Sequence, residues 1–297
     1  AGDADIAVAG GGENLSRVPY FVNSLRFGNR LGDVVLEDQL VISCPYTGVP
    51  RAVQAADEAA EHGIVRSGQD EWALRSHERA SAAQRSGFLD QEIASVVVES
   101  AHGHVVVERD ESIRSDSTIG KLSALPTVNG SSSVTAGNAP GLSTGSAFAV
   151  LCRSGYARDR SLASLATIIA SVQVAGHPAN IASIPAKAVM AALARTGLAL
   201  DDIDLFEINE AFAAVPLVTT LLLAEGDAGR TNKLRERTNV NGGAVALGHP
   251  TGATGVRMLM SAAAELRRRG GGRAVVAMCG GVGEGEALVI EVAGGET

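Results

Sequence analysis

The chain has 297 residues, 45% hydrophobic and 20% charged, which suits a large buried core and excludes a disordered chain. A formal net charge of −8, with Lys121, Lys187 and Lys233 as the only lysines, excludes the basic face that nucleic-acid binding needs. No apolar run has membrane-span length and no signal peptide is visible. Three scattered cysteines (Cys44, Cys152, Cys279) exclude a disulfide framework or a zinc ribbon, and a reducing, cytoplasmic setting fits.

In chain order, the first predicted element is a strand over Ile6–Ala9, ended by Gly10-Gly11-Gly12, so the chain reads as if it opens in the middle of a domain. Residues 13 to about 133 read as irregular apart from one helix, Asp70 to Ser86, stopped by Gly87. His102 and His104 flank a glycine with no ligand set at metal spacing, so no metal is expected. Ala147 to Cys152 reads as a buried strand that makes Cys152 a core thiol.

After that, helices and strands alternate, which argues for an α/β sheet covered by helices. Ser183 and Pro185 open a helix that Gly197 closes. Ile203 to Ile208 reads as a strand, Ala211 to Leu223 as a buried helix, and Gly255 to Arg269 as an amphipathic helix. Arg273 to Met278 and Glu286 to Val292 read as a hairpin with Cys279 at its mouth.

Two features carry chemistry. Asn239 to Gly255 sets His249 in a glycine-rich turn before a helix, and Cys279-Gly280-Gly281 follows the apolar run Ala274–Met278. A His and a Cys where glycines let a substrate approach the backbone suggest thiol and acyl chemistry.

Four blocks resemble the thiolases: Ala9-Gly10-Gly11, Asn209-Glu210-Ala211-Phe212, the block around Gly248-His249-Pro250, and Cys279-Gly280-Gly281. Gly137-Asn138-Ala139 and Arg75-Ser76-His77-Glu78-Arg79-Ala80 are also similar to thiolase segments, in the same order. The resemblance implies an α/β fold of five αβαβα layers in two similar halves. Residues 1–12 would end the first half, 13–133 would be an inserted loop domain, 134–152 the return to the first half, and 153–297 the second half.

The same resemblance implies an acyltransferase that makes or cleaves a β-ketoacyl-CoA by Claisen chemistry. Coenzyme A thioesters would be its substrates, with no further cofactor, metal, nucleic acid or membrane involved. His249 would take the proton from a nucleophilic cysteine, with a near-neutral pKa suited to that task. Cys279 would be the second acid/base, Asn209 would hold a water that shares an oxyanion hole with His249, and the Gly281 N–H would serve the other hole. Phe212, Gly248, Ala139 and Tyr46 would border the substrate.

The acylated cysteine of the family would precede the strand Ile6–Ala9. It is therefore expected on a companion chain, or else the sequence is a fragment. A homo- or hetero-oligomer is expected. Tyr46-Thr47-Gly48 replaces the His-Met-Gly of acetoacetyl-CoA thiolases, Pro140 replaces a CoA-contacting serine, and Ser123 and Ala124 replace basic residues. These changes point to longer or unusual acyl groups. Two alternatives stay open: a ketoacyl-synthase-like condensing enzyme, which would carry His at the place of Asn209, and a non-catalytic thiolase-like subunit.

Overall fold

The computed structural model describes residues 4–294 apart from residues 24, 42, 101 and 102. Ala1 and His102 lie outside the described residues. The chain opens with β1 (Ile6–Asn14), the short β2 (Tyr20–Phe21) and β3 (Glu37–Asp38), then helices α1 (Arg51–Glu61) and α2 (Arg66–Arg85). A hairpin of β4 (Val96–Ser100) and β5 (Gly103–Val107), helix α3 (Ile119–Ser123) and strand β6 (Thr144–Cys152) follow. Beyond them come α4 (Ser154–Asp159), β7 (Thr167–Ala175), α5 (Ile184–Thr196), β8 (Leu205–Ile208), α6 (Ala214–Leu223) and α7 (Ala228–Glu236). Helices α8 (Ala244–Leu247) and α9 (Thr251–Arg268) and strands β9 (Gly272–Cys279) and β10 (Glu284–Val292) complete it.

Four strands form one sheet in the order β7–β10–β9–β8, with β8 and β9 parallel and the other pairs antiparallel. One face buries Phe206, Ile208, Val275 and Val289 against Val189, Leu193 and Val218 of α5 and α6. The other buries Leu205, Val276 and Ile290 against Met258, Ala262 and Leu266 of α9. The hairpin expected at Cys279 is present as β9 and β10, and Gly285 stands opposite Cys279.

Helix α9 begins at Thr251, earlier than Gly255, because Pro250 (φ −68°) sets up the helix entry. It also packs on β1 and β6, which form a separate antiparallel ladder, so the layers run sheet, helix, sheet, helix. A Cβ on Gly11 would lie 2.2 Å from the Gly252 carbonyl oxygen. The triglycine therefore permits close approach inside a continuing strand and does not end it, contrary to the sequence expectation.

The outward face of that ladder carries Ile6 opposite Cys152 and Val8 opposite Val150, with Phe148 beside them, all exposed. Cys152 is thus not a core thiol. Strand alternation turns it away from the face that α9 covers.

Residues 13–133 hold more than one helix. Helix α1 buries a stripe of small residues, Ala52, Ala55, Ala56 and Ala59, at the i, i+3, i+4, i+7 spacing of one helix face. On α2, the Arg75–Ala80 motif docks the end of α7: Arg75 and Arg79 donate to the carbonyl of Thr238, and Arg79 also to those of Asn239 and Glu236.

Two buried carboxyl groups fasten this region to the second half. Glu58 of α1 accepts from the N–H groups of Ile181 (2.6 Å), Ala182 (2.5 Å) and Ser183 (3.3 Å), and from the Ser183 hydroxyl. The entry to α5 is therefore satisfied by a carboxyl group from a distant helix, not by Ser183 capping its own helix as the sequence suggests. Glu210, 1% exposed, accepts from Trp72 Nε1 (2.9 Å), Ser76 Oγ (2.7 Å), Asn239 Nδ2 (2.8 Å) and the Val245 N–H (3.0 Å).

Replacing Glu58 by Ala removes the acceptor of three backbone donors at the entry to α5. Urea unfolding is expected to show a stability loss of about 3 kcal/mol; a loss below about 1 kcal/mol would mean that solvent replaces the carboxyl group.

Candidate active site

Asn209 stands just past the C-terminal end of β8, where its backbone N–H donates to the Ala277 carbonyl of parallel β9 (2.9 Å). Two residues further along β9 is Cys279. The ends of adjacent parallel strands are where open α/β sheets build their sites. The third group arrives from the α8–α9 turn. Gly248, at φ +93°, could not carry a side chain there, since a Cβ would lie 2.6 Å from Ser143 Oγ. That hydroxyl accepts the His249 backbone N–H at 2.9 Å and fixes the turn.

The His249 ring is held from both ends. Its Nδ1 lies 2.8 Å from Thr254 Oγ1, and its Nε2 lies 3.3 Å from Asn209 Nδ2. Thr254 commits its single hydroxyl proton to the Pro250 carbonyl (3.0 Å). It can only accept from the ring, so the network assigns the proton to Nδ1 and the lone pair to Nε2. Burial lowers the His249 pKa to about 4, with the positive charge of Arg257 adding to the effect. The imidazole is neutral at physiological pH, well below the near-neutral titration expected from sequence. The Asn209 Oδ1 is buried with no partner among the described residues.

Cys279 is a half-buried free thiol packed with Ala139 and Phe212 on the alanine cluster of α1. Burial, reinforced by Glu58 and Glu284 against the opposing pull of Arg51, raises its pKa to about 12. It is a thiol, not a thiolate, at neutral pH. The Gly280 N–H donates to the Glu284 carbonyl (2.7 Å), closing the turn. The Gly281 N–H has no partner among the described residues, and the Arg51 guanidinium lies 3.5 Å from where a Gly281 side chain would begin.

The loop with Ala139 is wired to α2: Asn138 donates to Asp70 (3.0 Å), and its carbonyl accepts from Ala213 next to Phe212 (2.9 Å). Tyr46 stands on the Cys44–Gly48 turn with its side chain projecting to solvent. In that turn Cys44 is 1% exposed. Burial opposes its ionisation, but hydrogen bonds from Thr47 and Arg51 outweigh it and lower the pKa to about 6.

Sequence reasoning identified His249, Asn209, Cys279 and Gly281, but not Thr254, Ser143, Glu58 or Arg51. Only Thr254 left a signal, since it follows Pro250 at the spacing that faces the preceding turn. Among the described residues no group of His, Cys, Asp or Glu side chains is placed to hold a metal ion, and no helix is long and apolar enough to cross a membrane.

Residues 1–155 match the family model described as "Thiolase, N-terminal domain" and residues 162–292 that described as "Thiolase, C-terminal domain". The chain is 37% identical to the "Probable acetyl-CoA acetyltransferase" of Mycolicibacterium smegmatis, covering 98% of this chain and 74% of that protein. It is 38% identical to the "Beta-ketothiolase BktB" of Cupriavidus necator, covering 98% and 73%. Its structure superposes on that of the Bacillus anthracis acetyl-CoA acetyltransferase with a TM-score of 0.91 at 36% identity, covering 98% of this chain and 73% of the other. On human mitochondrial 3-ketoacyl-CoA thiolase in complex with CoA the TM-score is 0.89 at 35% identity, covering 98% and 72%. With its fold and both halves of its sequence matched, the chain belongs to the thiolase family.

Proposed function

We propose that this chain supplies the proton-handling side of an acyl-CoA C-acyltransferase, and that the acylated cysteine comes from a polypeptide segment outside the described residues. The observation that carries the reading is the His249 imidazole fixed between Thr254 and Asn209 with its lone pair on Nε2. A neutral imidazole is a base that can accept a thiol proton.

In the cleavage direction, His249 Nε2 takes the proton of the nucleophilic thiol, and that sulfur adds to the ketone carbon of a β-ketoacyl-CoA. The carbon–carbon bond breaks, and the Cys279 S–H proton passes to the enolate carbon, releasing one acyl-CoA. The Cys279 thiolate then takes the proton of an incoming CoA thiol, whose sulfur attacks the acyl group. The first sulfur departs and recovers its proton from His249. A Cys279 held protonated by burial suits the donor step. The unpartnered Asn209 Oδ1 suits a bound water beside His249, and the Gly281 N–H suits a developing oxyanion.

The chain's own cysteines fit the first sulfur poorly. Cys44 is shut inside its turn, Cys152 lies on the outer face of β6, and Cys279 has the acid's role. The exposed apolar ladder face of Ile6, Val8, Phe148 and Val150 suits burial under further strands or a helix that would bring the nucleophile. The exposed Tyr46 and the proline at Pro140 support an acyl group other than acetyl.

Intact mass spectrometry of the native complex with a 3-ketoacyl-CoA is expected to show an acyl adduct on a companion cysteine; an adduct on Cys44 would overturn the proposal. In that complex His249→Ala should slow acylation at least about 100-fold. Cys279→Ala should acylate normally yet turn over about 1,000-fold more slowly. Wild-type rates for both variants would contradict the assigned roles.

A further inference from the structure

Arg51 is the first residue of α1, where a positive charge does nothing for the helix. The dipole disfavours a cation at that end, the first turn carries no acidic residue, and Pro50 supplies no side-chain cap. The guanidinium is nevertheless held in place. Its Nη1 donates to Gln54 Oε1 (3.0 Å), and the buried Gln54 donates in turn to Thr47 Oγ1 (2.9 Å) in the Cys44–Gly48 turn. The other edge of the guanidinium faces the Cys279-Gly280-Gly281 turn. Nη2 lies 3.5 Å and Nε 3.8 Å from where a Gly281 side chain would begin, and Gly281, exposed, has none to cover that edge.

Nε and Nη2 are the pair that takes a carboxylate side-on through two parallel hydrogen bonds. No carboxylate of this chain does so: among the described residues Arg51 forms no ion pair. The two acids that bear on Cys279 are engaged elsewhere. Glu58 holds the entry to α5, and Glu284 Oε2 accepts from the Val282 N–H (2.8 Å). Arg51 also bonds Cys44 within its turn, but a guanidinium has five donors, and these contacts do not exhaust them.

We propose that Arg51 is a specificity residue that binds the terminal carboxylate of the transferred acyl group, so that the substrates are CoA thioesters of 3-keto dicarboxylic acids. The proposal rests on the acyl-transfer reading of the site, in which the Gly281 N–H takes the ketone oxygen. Carbons beyond that ketone start at the turn that Arg51 borders, so a carboxylate a few carbons further on meets the Nε–Nη2 edge. The phosphates of CoA lie at the far end of the pantetheine arm, so an anion at this place belongs to the acyl group.

The test is calorimetric binding of two unreactive CoA thioethers to the native complex. Carboxypentyl-CoA and hexyl-CoA have alkyl arms of the same carbon count and differ in one carboxylate. The wild-type complex should bind carboxypentyl-CoA at least about 10-fold more tightly. Arg51→Met should weaken carboxypentyl-CoA about 30-fold and move hexyl-CoA less than about 3-fold. Arg51→Lys, which keeps the charge but not the fork, should fall between. Arg51→Gln serves if the methionine variant does not fold, and should behave as Met. In thiolysis, 3-ketoadipyl-CoA should lead 3-ketohexanoyl-CoA in kcat/KM, and the lead should vanish in the Met or Gln variant. Equal binding of both thioethers by the wild type, or equal weakening of both in the variants, would overturn the proposal. Equal weakening that disappears with alkyl pantetheines, which lack the phosphates, would assign Arg51 to the CoA phosphates instead. Loss of the preference leaves the roles of His249 and Cys279 standing. A complex that forms no acyl adduct would remove those roles and leave this binding preference to be read.

Discussion

The chemistry open to this chain depends on one constraint: a histidine ring whose two nitrogens have different partners. Thr254 receives the Nδ1 proton because its own hydroxyl proton is already committed to the Pro250 carbonyl. What remains at Nε2 is a lone pair at a part-buried position beside an asparagine amide. An imidazole in that state accepts a thiol proton, and one already charged could not. Cys279 is the complement, because the same burial that keeps His249 unprotonated keeps that thiol protonated.

The surrounding architecture maintains the constraint through helix α9. One end of α9 carries Thr254 behind the ring, its body packs on the four-stranded sheet, and its first turn lies against the glycines of β1. The inserted region is part of the same device. Glu58 closes the entry to α5 and bears electrostatically on Cys279, while Glu210 joins α2 to the turns on either side of Asn209 and His249. A region that reads as a peripheral insertion thus sets the environment of both reactive groups.

Much of this was legible in the residues. Glycines around His249 and after Cys279 marked backbone exposed to a substrate, and Gly197 (φ +72°) ended α5 where expected. The apolar runs of β9 and β10 marked their hairpin. What stayed hidden has physical causes. The stripe of α1 is alanine, which carries little hydropathy contrast, so a helix with a buried face read as irregular. The glycines of β1 read as a stop because close backbone approach and a turn call for the same residue. Glu58 and Glu210 act across more than a hundred residues of sequence, and no local pattern reveals such partners. Cys152 looked buried because an apolar strand normally has two covered faces, and here one is open.

The most direct test of the account is the tautomer of His249 at neutral pH, read from its two ring nitrogen shifts in the labelled chain. A proton on Nδ1 with an unprotonated Nε2 is the predicted result. An Nε2–H tautomer, or an imidazolium at pH 7, would contradict it.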